Sequence, residues 1–435
     1  MKTVIMAGGS GTRIASLFPS IPKSLIPIAG IPVLERELNV LKKQGFTDII
    51  ITISYMGEKI RDYFGNGEQF GVSIEYFGET VPLGNAGALY KIKDKLTDDF
   101  LVINSDIVFD VNLQRMYEFH HRKGAMATIL THPNSHPFDS GIIFADENNK
   151  VNKWITKEDE HPKYYKNRVN AGIHFISKKA IDENRLNEDK LGQFDEATGK
   201  IFKIDLDRQI LKPMALSGEL YCYDSPEYVK DMGTPERYHS VECDILSGKV
   251  AKRNLVNKQK AIFLDRDGTI NKYIGFLRKP EEFELLGGVS SAIKKINMSD
   301  YLCIVITNQP VIARGEVTIS ELDEIHNKLE TLLGSEGCYI DALYYCPHHP
   351  DKGFPGEIPE LKMVCNCRKP NPGMLLKAAE DFNIDLERSW MVGDSKNDII
   401  AGKRAGCKTA LIGAGDYGQD MTLMGIDEVV RFLDE

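Results

Sequence analysis

The sequence predicts an α/β protein of two domains, each built on a mostly parallel sheet, and three observations carry that prediction. Short β-branched runs alternate with stretches of helical periodicity in both halves of the chain, the pattern of strands joined by crossover helices. The runs end in loops rich in Asp, Asn or Gly. Between the halves, Ala251 to Gln259 is polar and basic with no strand signal. In the first half, strands are expected at Thr3 to Met6, Ile49 to Ile53 and Phe100 to Ile103, with a helix over Pro32 to Gln44. In the second half they are expected at Lys260 to Leu264, Leu302 to Ile306, Trp390 to Val392 and Thr409 to Ile412. Glu236 to Val250 reads as helix. The domain boundaries that follow are 1–245 and 259–435, with 246–258 as linker.

The size agrees: 435 residues suit two to three domains of roughly 150 residues. With 54 basic against 63 acidic residues the net charge is -9, which weighs against nucleic acid or an anionic membrane as partner. No apolar run reaches the roughly 18 residues of a membrane span, and Met1-Lys2-Thr3-Val4-Ile5 enters a strand pattern without a leader. The expectation is a cytoplasmic enzyme acting on small molecules, with homo-oligomers allowed. The 8 cysteines are too few for a disulfide scaffold. Cys346, Cys365 and Cys367 nevertheless crowd together, and crowding points to metal.

Ligands of open α/β sheets sit beyond the carboxyl ends of the strands, so those loops are where chemistry is expected. After the first strand comes Gly8-Gly9-Ser10-Gly11-Thr12-Arg13. Its glycines let backbone N–H groups approach phosphate oxygens, and Arg13 can neutralise a leaving pyrophosphate. It is neither a dinucleotide fingerprint, since position 14 is Ile14, nor a P-loop, since no Gly-Lys-Ser/Thr closes it. Lys23 adds a second cation, Leu83 to Leu89 gives another close-approach turn, and Asp106 ends an apolar strand. Asp231 could join Asp106 on one Mg²⁺, a hard ion suited to one or two carboxylates plus phosphate oxygens.

Together these residues resemble the sugar-1-phosphate nucleotidyltransferases, over about residues 1 to 240. The resemblance implies a Rossmann-like domain with a mixed, mostly parallel sheet. It implies that Gly8, Gly9, Gly11 and Arg13 hold the nucleoside triphosphate and that Lys23 contacts its phosphates. Gly84, Asn85 and Gly87 would lie near base or sugar, and Asp106 and Asp231 would hold Mg²⁺. Asn170, in Asn170-Ala171-Gly172, and Gly141 would face the sugar. Where Glu-Lys-Pro is common in that family this chain has Thr156-Lys157-Glu158, so Lys157 is a sugar-side candidate without its carboxylate neighbour. The version Pro82 to Leu89 is more similar to enzymes that use GTP with manno-configured sugars.

In the second half, Asp265-Arg266-Asp267-Gly268-Thr269 stands at a strand end. A carboxylate there can attack phosphorus to give an acyl phosphate, while a second one two residues on protonates the leaving alkoxide. Asp394 supplies a further carboxylate for Mg²⁺, and Thr307, Asn308 and Lys369 offer a hydroxyl, an amide and a cation to the phosphoryl group. Cys346, Cys365 and Cys367 with one histidine of the His348-His349 pair make a closed four-ligand set, the preference of structural zinc.

The order Asp265, Asp267, Thr307, Lys369, Asp394 resembles the haloacid-dehalogenase phosphatases, which implies a Rossmannoid domain with a zinc-binding loop. The cysteine and histidine spacing resembles the D-glycero-D-manno-heptose 1,7-bisphosphate 7-phosphatases, with histidinol-phosphate phosphatases as near relatives. That resemblance implies His348 as the zinc ligand, His349 being the alternative, and Mg²⁺ held among Asp265, Asp267 and Asp394. It also implies Asn308, Arg314, Arg368 and Lys369 near substrate phosphates or hydroxyls. Pro310-Val311 and Ser395 depart from that pattern.

Read together, the halves imply consecutive steps: removal of the 7-phosphate from heptose 1,7-bisphosphate, then GMP transfer from GTP to heptose 1-phosphate. Mannose 1-phosphate with GTP beside an unrelated phosphatase, or a nucleotide-sugar sensor beside an active phosphatase, are the alternatives.

Overall fold

A computed structural model of the chain describes all residues except 10–12, 15, 55, 157, 184, 185, 187, 197, 198, 434 and 435. The chain forms two compact units, described in turn. The first holds Met1–Thr131, Ile143–Trp154 and Asn170–Asn254, and the second holds His132–Ile142, Ile155–Val169 and Leu255–Glu435. Among the described residues no helix is long and apolar enough to cross a membrane.

In the N-terminal half the strand Lys2–Ala7 lies between Asp48–Ile53 and Asp99–Asn104, parallel to both. Ser73–Gly78 extends the parallel set, and Val169–Ser177 runs antiparallel beside Asp99–Asn104. Val4 and Ile50 are buried on one face, while Ile5, Ile49 and Ile51 are buried on the other. Burial on both faces explains why these strands read as continuous apolar runs rather than as alternation. The helix read over Pro32 to Gln44 spans Val33–Lys43 and buries Val33, Leu34, Leu38 and Leu41. A small antiparallel pair, Ile107–Asp110 with Tyr228–Asp231, sets Asp231 opposite Ile107. The unit continues through helices Pro235–Leu246 and Lys249–Lys252 to Asn254, whose Nδ2 donates to Asp110 Oδ1 at 2.7 Å. Within the stretch read as linker, Lys249–Lys252 is helical and the residues up to Asn254 fall in the first unit.

The second unit has a six-stranded parallel sheet in the order Ala342–Cys346, Tyr301–Asn308, Lys260–Leu264, Trp390–Gly393, Lys408–Ile412, Met421–Leu423. Parallel register brings the carboxyl ends of the strands to one edge. Two stretches from the N-terminal half of the sequence pack in this unit. Arg168 Nη1 lies 3.1 Å from Glu330 Oε2, with both side chains 6% exposed, and Asn167 N donates to the same oxygen at 2.9 Å. Tyr165 N donates to Thr331 Oγ1 at 2.9 Å, and Pro137 sits where a Cβ on Gly334 would come within 2.6 Å. The helix Ile319–Ser335 that receives them starts on a capping box, Thr318 with Glu321.

Candidate active sites

In the first unit, Asp106 follows the strand Asp99–Asn104, and the pairing of Ile107 with Asp231 brings the second carboxylate beside it. Lys23 Nζ forms an ion pair with Asp106 Oδ2. Arg237 Nη1 donates to both oxygens of Asp231 at 3.0 and 2.9 Å, and Gly233 N donates to Oδ1 at 2.8 Å. Burial alone would raise the Asp231 carboxyl; Arg237, the Gly233 N–H and Lys23 outweigh it and hold Asp231 below its usual range. The Arg13 guanidinium lies against Gly233, where a Cβ would come within 3.3 Å of its nitrogen. Cations thus collect around both carboxylates, as a site for a polyphosphate and its counter-ion requires.

Gly8 follows the central strand, and its carbonyl accepts from Ser54 Oγ at 2.7 Å. Gly9 is exposed in the same turn, whereas Gly11 and Lys157 lie outside the described residues. Gly84 has φ of +85°, and a Cβ there would come within 2.4 Å of the Ile204 carbonyl oxygen, so only glycine lets this turn close. Asn85 Oδ1 accepts from Leu206 N at 2.7 Å, and Gly87 opens the helix Gly87–Lys91. Asn170 Oδ1 accepts from Gly172 N at 3.1 Å and from His174 Nε2 at 3.0 Å. Gly141, half-buried, belongs to the second unit.

In the second unit, Asp265 follows the strand Lys260–Leu264 and Asp394 follows its neighbour Trp390–Gly393. Thr307 and Asn308 end the strand on the other side. Lys369 Nζ, almost wholly buried, lies 2.7 Å from Asp265 Oδ1 and 2.6 Å from Asp398 Oδ1, and donates to the Ile306 carbonyl at 2.8 Å. Burial works against its charge, yet the two carboxylates prevail and hold Lys369 protonated. Burial and the charge of Asp398 push the Asp265 carboxyl up, with Lys369 pulling back. Asp394, which reaches solvent, is pushed up to about 6 by partial burial and by Asp398. Asp265, Asp394 and Asp398 form a group able to hold one cation, their ligand atoms all within 4.8 Å of one another. Gly268, at φ +87°, makes room for it, because a Cβ there would meet Asp394 Oδ2 at 1.9 Å.

Asp267 faces another way. Its carboxylate receives Arg266 Nη2 at 3.0 and 2.9 Å, Gln309 Nε2 at 3.0 Å and Asn271 Nδ2 at 3.0 Å. Gln309 Nε2 also donates to Thr307 Oγ1 at 2.8 Å. Asn308 exchanges two hydrogen bonds of 3.0 Å with the Lys369 backbone, so its amide aims the lysine.

The cysteine cluster closes as its spacing suggested. Cys346, Cys365 and Cys367 have Sγ to Sγ distances of 3.5, 3.2 and 3.3 Å, and His348 Nδ1 lies 3.5 and 3.3 Å from Cys346 and Cys367. A tetrahedral zinc with thiolates at about 2.3 Å sets its sulfurs about 3.8 Å apart, so the group fits with little adjustment. His348 is the histidine that shares the group with the three cysteines, whereas His349 accepts from Asp351 N at 3.2 Å. The loop carries Arg368, whose Nη1 donates to the His348 carbonyl at 3.2 Å. Arg314 is clamped between Phe276 and Phe354, its Cζ 4.0 and 4.2 Å from the ring centroids.

With this geometry in hand, comparison with known proteins is direct. A nucleotidyl transferase family model matches residues 2–248, and a HAD-hydrolase-like model matches residues 366–434. The D-glycero-beta-D-manno-heptose-1,7-bisphosphate 7-phosphatase of Salmonella typhi is 40% identical over 152 residues, 35% of this chain and 79% of that protein. The D-glycero-alpha-D-manno-heptose-1,7-bisphosphate 7-phosphatase of Photorhabdus laumondii is 43% identical over 150 residues, 34% of this chain and 80% of that protein. Among solved structures, HddC from Yersinia pseudotuberculosis matches at a TM-score of 0.47 and 24% identity, over 56% of this chain and 99% of that one. The two sites define an enzyme of two chemistries, nucleotidyl transfer and phosphate-ester hydrolysis. The chain belongs to the nucleotidyl transferase family through its N-terminal half and to the heptose-1,7-bisphosphate 7-phosphatases through its C-terminal part.

Several site residues escape a reading of motifs. Asp398 stands four residues after Asp394 at the start of the helix Lys396–Ala405. Its Oδ2 caps that helix by accepting from Ser395 N and Oγ, which frees Oδ1 for Lys369. Ser395 is therefore the cap that orients Asp398. Arg266 is wholly buried and also meets His326 Nε2 at 3.1 Å, and burial followed by the arginine's charge keeps that histidine neutral. In the first unit, Arg237 pairs Asp231. Glu37 is wholly buried facing Asp106, and burial first, then that charge, raises its carboxyl well above the usual range.

Proposed function

We propose that the chain carries out two consecutive steps of nucleotide-activated heptose synthesis. The C-terminal part hydrolyses the 7-phosphate of D-glycero-D-manno-heptose 1,7-bisphosphate. The N-terminal half transfers GMP from GTP to the heptose 1-phosphate so formed, giving GDP-heptose and pyrophosphate. One observation carries the reading: a chain in the heptose-bisphosphate phosphatase family is continuous with a nucleotidyl transferase half, and a 7-phosphatase leaves the sugar 1-phosphate that such a transferase consumes. The turn at Pro82 to Leu89 supports GTP as donor.

In the phosphatase, Asp265 is the nucleophile. Its carboxylate oxygen bonds to phosphorus as the P–O bond to the sugar breaks, and Asp267 gives the leaving alkoxide a proton. Asp267 then takes a proton from water, which attacks the acyl phosphate and releases phosphate and the free Asp265 carboxylate. Lys369, held between Asp265 and Asp398, meets the charge on the transferring group. Mg²⁺ bound among Asp265, Asp394 and Asp398 would neutralise phosphoryl charge. The zinc loop is structural: Cys346, His348, Cys365 and Cys367 fix Arg368 and Lys369, and Arg368 with Arg314 suits the distal phosphate.

In the transferase, a phosphate oxygen of the sugar attacks the α-phosphorus of GTP in line, and pyrophosphate leaves. Arg13 and Lys23 neutralise the triphosphate, and Gly8, Gly9 and Gly11 admit it to the backbone. Asp106 and Asp231 are the groups that would hold Mg²⁺. Asn170 belongs to the sugar side. The partners are small molecules in the cytoplasm. Incubating the chain with Mg²⁺, GTP and each anomer of the heptose bisphosphate tests the reading: phosphate and then GDP-heptose are expected, and a chain that releases phosphate but never pyrophosphate contradicts the transferase half of it.

A further inference from the structure

The segment Leu206–Leu211 winds as a π-helix, one residue wider per turn than an α-helix, a rare geometry concentrated at functional sites. It starts on Asp205, whose side chain accepts from Arg208 N at 2.9 Å, and it is tied to the nucleotide side of the unit through Leu206 N and Asn85 Oδ1. Leu206, Ile210 and Leu211 are buried, while Asp207 between them stays partly open. Asp207 Oδ1 lies 3.5 Å from Asn170 Nδ2.

Asn170 is locked in orientation. Its Oδ1 accepts from Gly172 N and from the buried His174, so its Nδ2 is the end left to donate, and it faces Asp207 Oδ1. Gly172 in turn sits at φ +78°, where a Cβ would come within 2.6 Å of Asn104 Nδ2. Asn104 ends the strand that leads into Asp106, so Gly172, two residues after Asn170, packs against the strand end beside the charged centre. An amide donor beside a carboxylate acceptor, both partly exposed, the carboxylate on a helix whose Leu206, Ile210 and Leu211 are buried, offers hydroxyl groups both kinds of hydrogen bond. Burial, reinforced by Asp205, pushes the Asp207 carboxyl up to about 7.

We infer that Asp207 is a substrate-binding residue that, with Asn170, engages hydroxyls of the sugar 1-phosphate and so helps to decide which sugar the transferase half accepts. The inference rests on the sugar 1-phosphate reading above.

The test uses the full chain, GTP and heptose 1-phosphate, with monodeoxy heptose 1-phosphates as probes. Asp207→Asn, which keeps size, is expected to raise the KM for heptose 1-phosphate about tenfold or more while the KM for GTP stays within twofold. In the unaltered chain at least one deoxy analogue is expected to lose a similar factor, and that penalty should shrink in Asp207→Asn, a result that a merely structural role does not produce. If Asp207→Asn fails to fold, Asp207→Glu, which moves the carboxylate outward, replaces it and should change the ranking of the deoxy analogues. An unchanged sugar KM, or equal deoxy penalties with and without Asp207, overturns the inference alone. An unaltered chain that turns over no sugar 1-phosphate overturns the earlier reading and this inference with it.

Discussion

The two catalytic regions of this chain are assembled in different ways. In the phosphatase, Asp265, Thr307 and Asp394 lie at the carboxyl ends of three adjacent parallel strands, and the charges of Asp265 and Asp398 hold the buried Lys369 between them. The three strand-end groups are placed by the sheet, and Lys369 by its two carboxylates and the Ile306 carbonyl. In the transferase, among the described site residues, Gly8 and Asp106 have that simple placement. Asp231 arrives on a separate two-stranded pair, Asn85 is tied to a π-helix, and Asp207 is set by that helix. A site drawn from one sheet edge can be read from strand-end motifs, whereas a site drawn from several small elements is known only once they are packed.

If the two regions are chemically independent, Asp265→Asn should lower phosphate release by at least about 10³-fold, because the amide cannot form the acyl phosphate. Pyrophosphate release from GTP and heptose 1-phosphate should stay within about twofold in the same sample. The reciprocal change, Asp106→Ala, should lower nucleotidyl transfer by about 10²- to 10³-fold and leave phosphate release intact. Loss of both activities in either variant, with melting unchanged, would erase the distinction.

The boundary between the regions is open to a stability test. Removing one member of a buried ion pair strands the other, so Glu330→Gln should cost about 3 kcal/mol through Arg168. Trp154 lies in the first unit and Trp390, stacked on Phe432 at 4.0 Å, in the second, so single-tryptophan variants report each unit separately. The shift is expected in the Trp390 signal; a shift confined to Trp154 would contradict the assignment of residues 155–169 to the second unit.

The smallest effect concerns pH. The Asp207 carboxyl titrates near 7 when folded, against an ordinary value of 3.8. Between those values the folded chain keeps a proton that the unfolded chain has lost, so stability falls as pH rises from about 4 to 7 and the loss is complete above that. Asp207→Asn removes this titration. Its urea midpoint should decline less than that of the unaltered chain over this range, by the equivalent of roughly 1 kcal/mol for a partly exposed group. Parallel declines would show that Asp207 is ionised throughout.

Much of this was legible in residues alone. The apolar runs at Thr3 to Met6, Ile262 to Leu264 and Leu302 to Ile306 are strands because burial on both faces leaves no alternation to mislead the reading. The cysteine and histidine group was legible because Cys-x-His and Cys-x-Cys bring their side chains together within short loops. Asp398 was within reach as an acidic residue one helical turn after Asp394, but its role depends on a lysine some thirty positions earlier in the chain. The partners of Arg266, the pairing of Arg237 with Asp231 and the widening of Leu206–Leu211 into a π-helix depend on tertiary packing, which no local spacing encodes. The same holds for residues 132–142 and 155–169, whose place in the second unit rests on Glu330 and Thr331.

The most direct test of the central claim is ³¹P NMR of the purified chain with Mg²⁺, GTP and each anomer of D-glycero-D-manno-heptose 1,7-bisphosphate, followed in time. Inorganic phosphate is expected first, then pyrophosphate together with the paired diphosphate resonances of GDP-heptose, from one anomer in preference to the other. Phosphate without pyrophosphate from either anomer would contradict the claim that the two halves perform consecutive steps on one sugar.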